Sequence, residues 1–194
     1  MNRLATLIGA LGILAGCSDI APPDQPPELT APPPVGTSDF VIAYTEHVIP
    51  MSLPDLRQFM LERPIVTFLE PTGNISNPVA FETLEGTWGE IGATRRVKLA
   101  DGHYAIERIL RNDPGAFDYQ IFVFTNAAGR GVDQIVGEQR FVPVDGGTRF
   151  EWTYKVLPKH FVARQVIRGN MDSIEGFIAG GLERFSAAAI EASQ

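Results

Sequence analysis

The sequence predicts an α+β fold in which a curved antiparallel sheet wraps around a long C-terminal helix, with two short helices after the first strand. Three observations carry that expectation. From about Val79 to Leu157 the chain alternates short apolar strands with turns rich in Gly, Asn and Asp, the pattern of an antiparallel meander. After Pro158 the period becomes that of a helix, because Met171, Ile174, Ile178, Leu182, Phe185 and Ala189 fall at steps of three and four. One face of the sheet must be covered, and this helix is the element available to cover it.

The folded domain, residues 38–194, is expected to begin near Ser38. Phe40, Ile42 and Tyr44 alternate with Val41, Ala43 and Thr45 in a first strand that runs toward Ile49. Ser52-Leu53-Pro54-Asp55 then reads as a helix start, with Ser52 as cap and Leu53, Leu56, Phe59 and Met60 at helical spacing. Pro64, Pro71 and Gly73 break the following stretch into a second short helical piece and a loop. Gly92 to Leu99 and His103 to Arg111 form a hairpin around Ala100-Asp101-Gly102, with glycine at the positive-φ position. Turns at Asn112-Asp113-Pro114-Gly115, Asn126 to Gly131 and Asp145-Gly146-Gly147 separate the remaining strands. In the last strand Phe150, Trp152, Tyr154 and Val156 alternate with Arg149, Glu151, Thr153 and Lys155, so one face is packed and the other wet.

Upstream of the domain the chain has two other textures. Residues 1–16 carry Arg3, an apolar run from Leu4 to Ala15, and small residues just before Cys17, the only cysteine. The run is too short to span a bilayer. Residues 17–37 hold Pro22, Pro23, Pro26, Pro27, Pro32, Pro33 and Pro34, which fix φ and remove amide donors, so an extended spacer outside the fold is expected. The formal charge of −7, made one unit more negative when Arg3 leaves with a leader, argues against nucleic acid as a partner and against a polybasic membrane patch.

Leu14-Ala15-Gly16-Cys17 resembles a bacterial lipoprotein signal. The resemblance implies cleavage before Cys17, lipidation of its thiol, a palmitate-like acyl chain for instance, and a membrane anchor in the cell envelope facing the periplasm. Ser18 resembles the residue that permits transfer to the outer membrane, which favours that membrane, while Asp19 points the other way. Within the domain, Gly92-Ala93-Thr94-Arg95, Asp101-Gly102, Glu107, Tyr119, and Gly146-Gly147-Thr148 with Trp152 resemble the SRPBCC superfamily, which includes START, Bet v 1-like and polyketide cyclase/dehydrase-like proteins. That resemblance implies the helix-grip fold and a cavity for a small apolar or amphipathic molecule. It departs at the first helix, where Leu56 and Phe59 stand near the position of a frequent tryptophan.

Alternation around the first hairpin bears on the polar content of such a cavity. If Arg95 shares a face with Val97 and Leu99 it points inward, and a three-residue loop sets Glu107 opposite it. A two-residue loop would instead oppose Arg96 to Glu107 on the outer face. An inward arginine requires a partner, since an unpaired buried charge is very costly. The candidate ligand-binding residues are Arg95, Glu107, Tyr119, Trp152 and Tyr154; the ion pair also reads as a stitch between strands, and the aromatic residues as core. Trp88, in Gly86-Thr87-Trp88-Gly89, reads as a bulged strand entry or a gate. No cofactor, metal or catalytic residue is assigned, because His47, His103 and His160 lack ligand spacing and no phosphate loop or nucleophile motif is present. The expected function is a lipid-anchored binder or carrier of a small hydrophobic or amphipathic molecule. The alternatives are a cyclase or hydrolase using Glu107 and Arg95, and an assembly module whose interior is filled by its own side chains.

Overall fold

The computed structural model describes residues 20–193, so residues 1–16 and Cys17 lie outside the described part. Strand β1 (Val41–Ile49) leads into helix α1 (Leu53–Glu62) and a 3₁₀ turn (Ile65–Phe68). Six strands follow: β2 (Pro78–Glu85), β3 (Thr94–Leu99), β4 (Tyr104–Asp113), β5 (Ala116–Phe122), β6 (Val132–Val144) and β7 (Gly147–Pro158). The chain closes with α2 (Phe161–Gly169) and α3 (Met171–Ala192). All neighbours are antiparallel in the order β1-β7-β6-β5-β4-β3-β2, so the first strand returns to pair with the last.

Local chemistry explains the element boundaries. The Ser52 hydroxyl accepts the Asp55 amide and donates to the Asp55 carboxylate at 2.6 Å, closing the first turn of α1. The β3–β4 loop is Ala100-Asp101-Gly102, with Gly102 at φ 84°, and sets Arg95 opposite Glu107. The sequence reading ran one helix through the C-terminal region, whereas the structure separates α2 from α3 at Asn170. Gly169 weakens the helix there, and the Asn170 side-chain amide donates to the Val166 carbonyl, ending α2. The N-terminal end of α2 is capped by His160, whose imidazole Nδ1 accepts the Ala163 amide.

Packing is uneven along α3. Its C-terminal half buries Ile178, Leu182, Phe185 and Ala189 completely. Phe185 meets Phe59, Phe68 and Phe150 edge-on, so α1, the 3₁₀ turn and β7 are locked against it. Its N-terminal turns are less covered: Met171, Ser173 and Ile174 are half-buried, and Asp172, Glu175 and Gly176 are exposed. Helix and sheet are tightly joined at one end and diverge toward the other.

The proline-rich segment departs from expectation. It is extended, yet residues 20–36 lie against the outer face of the sheet and do not reach away from it. Ile20 offers its carbonyl to His103 Nε2 at 3.0 Å, Pro27 accepts from Arg96, Pro33 from Gln120 and Pro34 from Gln134, and the Gly36 amide donates to Gln134. Ile106, Phe122 and Val136 are buried on this outer face, opposite in parity to the inward Glu107, Ile121 and Ile135. Prolines lack amide donors but keep their carbonyls, and the sheet supplies side-chain donors at the matching places. We call this segment the strap.

Candidate functional site

Where α3 parts from the sheet, a cavity of about 190 Å³ opens between them. This exceeds the roughly 150 Å³ apolar cavity that takes up benzene, so there is room for a small organic molecule. Its sheet wall is apolar, with Val97 from β3, Ala105 from β4, Ile121 from β5, Ile135 from β6 and Val156 from β7. Ile174 and Phe177 of α3 form the roof. Asn74, Ala128 and Val166 belong to the wall and are also exposed, so the cavity reaches solvent at the end of the sheet where β5, β7 and α2 meet.

A cluster of polar groups sits on the wall. Glu107, from β4, is held by Arg95 of β3, whose Nε and terminal nitrogen approach Oε2 at 2.7 and 2.6 Å. Both contacts go to that one oxygen, and among the described residues Oε1 has no hydrogen-bond donor. Arg95 itself stands behind Glu107, off the cavity wall, with its guanidinium between the rings of Trp88 at 3.6 Å and Phe81 at 4.1 Å. Trp88 is therefore the cover of the arginine, a role the sequence reading did not assign to it.

Tyr119 and Tyr154 line the cavity beside Glu107. Burial is the main cause that pushes the Tyr119 hydroxyl well above its ordinary pKa, and the neighbouring Tyr154 and Glu107 add to it. Burial also raises Tyr154. Both phenols therefore stay protonated and neutral. Trp152 does not line the cavity: it is fully buried in the packed core, and its indole N–H donates to the Tyr119 hydroxyl at 3.1 Å. That bond occupies a lone pair and leaves the Tyr119 proton to be given elsewhere. The Tyr119 ring fits because β6 has Gly137 beneath it, where a Cβ would lie 2.2 Å from a ring carbon.

The five sequence-derived residues thus divide by depth. Glu107, Tyr119 and Tyr154 form the wall, Arg95 supports it, and Trp152 supports Tyr119 from the core. Sequence reasoning missed the rim residues Asn126, in the β5–β6 loop, Val166, on α2, and Asn170, at the α2–α3 junction, where strand alternation says nothing. Among the described residues no group of His, Cys, Asp and Glu is arranged to hold a metal ion, and no helix is long and apolar enough to cross a membrane.

No protein-family model and no curated protein matches the sequence. Solved structures do match in shape. The chain is similar to Ara h 8.0201, with 15% identity and a TM-score of 0.55, over 78% of this chain and 99% of that one. It is similar to ginseng major latex-like protein 151 from Panax ginseng, with 11% identity and a TM-score of 0.58, over 78% of this chain and 99% of that one. It is also similar to the di-domain ARO/CYC StfQ from the steffimycin biosynthetic pathway, with 11% identity and a TM-score of 0.59, over 79% of this chain and 52% of that one. At such identities the likeness extends to the backbone and not to the side chains of the site. Seven antiparallel strands curved around a long C-terminal helix, with short helices after the first strand, give this chain the Bet v 1-like helix-grip fold.

Proposed function

We propose that the protein is an envelope lipoprotein, acylated at Cys17, that binds or carries a small amphipathic molecule in its helix-grip cavity. The observation that carries this reading is an apolar chamber with one carboxylate on its wall, fixed through Oε2 by Arg95 and left with Oε1 unengaged. An acceptor oxygen in apolar surroundings selects a ligand that brings a donor, so the fitting guest is largely hydrocarbon with a hydroxyl or similar group at one end. The neutral phenols beside Glu107 add donors for a second oxygen. The leader supports placement in the cell envelope, facing the periplasm, with the outer membrane favoured by Ser18.

The test is mass spectrometry of the full-length protein purified from its own envelope, under native conditions and after digestion. The expected result is an acylated Cys17 peptide together with a bound small molecule. In titrations with an apolar fluorescent dye, hydroxyl-bearing amphiphiles should displace the probe, and Glu107→Gln should weaken them roughly tenfold, because a charged acceptor is exchanged for a neutral amide. A protein recovered empty, with no dye bound at micromolar concentration, would overturn the carrier reading.

A further inference from the structure

We infer that the cavity mouth faces the membrane and that the exposed apolar side of α2 rests in the bilayer surface, so that the guest enters from the lipid phase. This inference rests on the lipoprotein reading of Cys17 and adds an orientation to it.

The strap fixes where the anchor must lie. Ile20 is bound to His103, and Pro22 packs against Gly102, both at the β3–β4 turn. The other ring nitrogen of His103 bonds Thr125 Oγ1 at 3.1 Å, and the neighbours of Thr125, Phe124 and Asn126, are on the cavity wall. The start of the strap is therefore one hydrogen-bonded step from the rim. Two residues, Ser18 and Asp19, lie between Cys17 and Ile20, so the three steps of chain reach about 11 Å at most. The opposite end of the sheet lies about 40 Å away along the 12 residues of β7. An acyl chain on Cys17 can bring the mouth to the bilayer, and it cannot bring the far end there without drawing the strap off the sheet.

The surface at that end suits a bilayer. Phe161, Val162 and Val166 of α2 are 73%, 63% and 60% exposed, while Ala163 and Ile167 hold the opposite side of the helix to the domain. Val166 is also part of the cavity wall, so the apolar patch and the apolar interior are continuous. Lys159 and Arg168 flank the patch, and Arg130 is exposed on the β5–β6 loop; the acids nearby are Asp172 and Glu175, both exposed on α3, Asp133 on the surface that Lys159 and Phe161 share, and Asp39, which is paired with Arg164. A short helix with an apolar face and bordering cations is the chemistry of an interfacial helix on anionic lipid. An acyl anchor beside it adds the second attachment that stable membrane binding needs.

Because Cys17 is the only cysteine and is consumed by acylation, a second cysteine in the full lipoprotein is a single labelling point. Val162→Cys and, at the exposed β6–β7 turn, Asp145→Cys are each labelled with a polarity-sensitive fluorophore. The proteins are then inserted in vesicles of phosphatidylethanolamine and phosphatidylglycerol containing phospholipid spin-labelled in its acyl chains. The label at position 162 is expected to shift to the blue and lose most of its emission, and the label at 145 to lose little. Adding Phe161→Ser should reduce the quenching at 162 several-fold. Equal quenching at both positions, stronger quenching at 145, or shielding at 162 that follows protein concentration and not lipid would overturn the orientation. The mass of the Cys17 peptide separates the two ideas: an unmodified thiol removes the anchor reading and this orientation with it, whereas an acylated protein with a wet label at 162 removes the orientation alone.

Discussion

Arg95 carries a charge almost out of water, and its surroundings account for each part of its shape. Two aromatic rings cover the planar faces, and Glu107 takes the edge, leaving the two side chains 11% and 10% exposed. A lysine would keep the charge but lose the stacking and one of the two contacts to Oε2. Removing the acid leaves a desolvated cation without a counter-ion, so Glu107→Ala should lower stability by roughly 3 kcal/mol in urea unfolding. The double substitution Arg95→Met with Glu107→Leu removes both charges and fills the space, and it should recover most of that loss. It should not recover affinity for hydroxyl-bearing amphiphiles, because the acceptor is gone. If the double variant were as unstable as the single one, the pair would be holding β3 to β4 through something other than mutual charge compensation.

Among the elements, β6 has two opposite tasks on its two faces. Inward, Gly137 leaves the hole into which the Tyr119 ring settles; outward, Gln134 accepts one strap amide and donates to another strap residue's carbonyl. Gly137→Ala should push the tyrosine ring toward the cavity, costing about 1–3 kcal/mol and reducing apolar dye binding, as read by thermal unfolding and a dye titration. Unchanged dye binding would mean that the ring has another place to go. These two faces also show what a sequence reveals and what it hides. Alternation in β7 put Phe150, Trp152, Tyr154 and Val156 on one face, and a three-residue loop at Ala100-Asp101-Gly102 was one of two registers the sequence allowed, the one that sets Arg95 against Glu107 as the structure has it. Depth along a strand is not local: Trp152 and Tyr154 share a face, yet one lies under the packed half of α3 and the other under the open half. The strap was hidden for a related reason. Proline composition reports backbone conformation, whereas docking depends on where Arg96, Gln120 and Gln134 place their donors on a surface assembled from distant strands.

At the level of the whole molecule the division into a packed end and an open end places two phenols where charge cannot be tolerated. Tyr119 and Tyr154 are buried between the sheet and α3, with Glu107 nearby, and their native pKa values are raised above the unfolded value of about 10. Below that pH both folded and unfolded chains keep these protons, so stability does not depend on them. As pH rises past about 10 the unfolded chain releases the two protons while the native protein retains them, and the unfolded state gains the advantage. Stability contributed by these phenols is thus complete at neutral pH and falls through the alkaline range. Tyr44, on the outside of β1, is raised to about 12 chiefly by its hydrogen bond to the Glu46 carboxylate, and its exposure makes its share of the effect small. The expected result is a Tm that holds steady up to about pH 10 and then drops, with part of the phenolate absorbance appearing only as structure is lost. Tyr154→Phe should move the alkaline transition to higher pH. Tyr119→Phe should do the same while lowering neutral stability by about 1 kcal/mol, because the Trp152 indole loses its acceptor. Complete phenolate absorbance in a protein still folded would show that the cavity admits hydroxide and bulk water to its polar end, and would remove the apolar chamber on which the binding of an amphiphile depends.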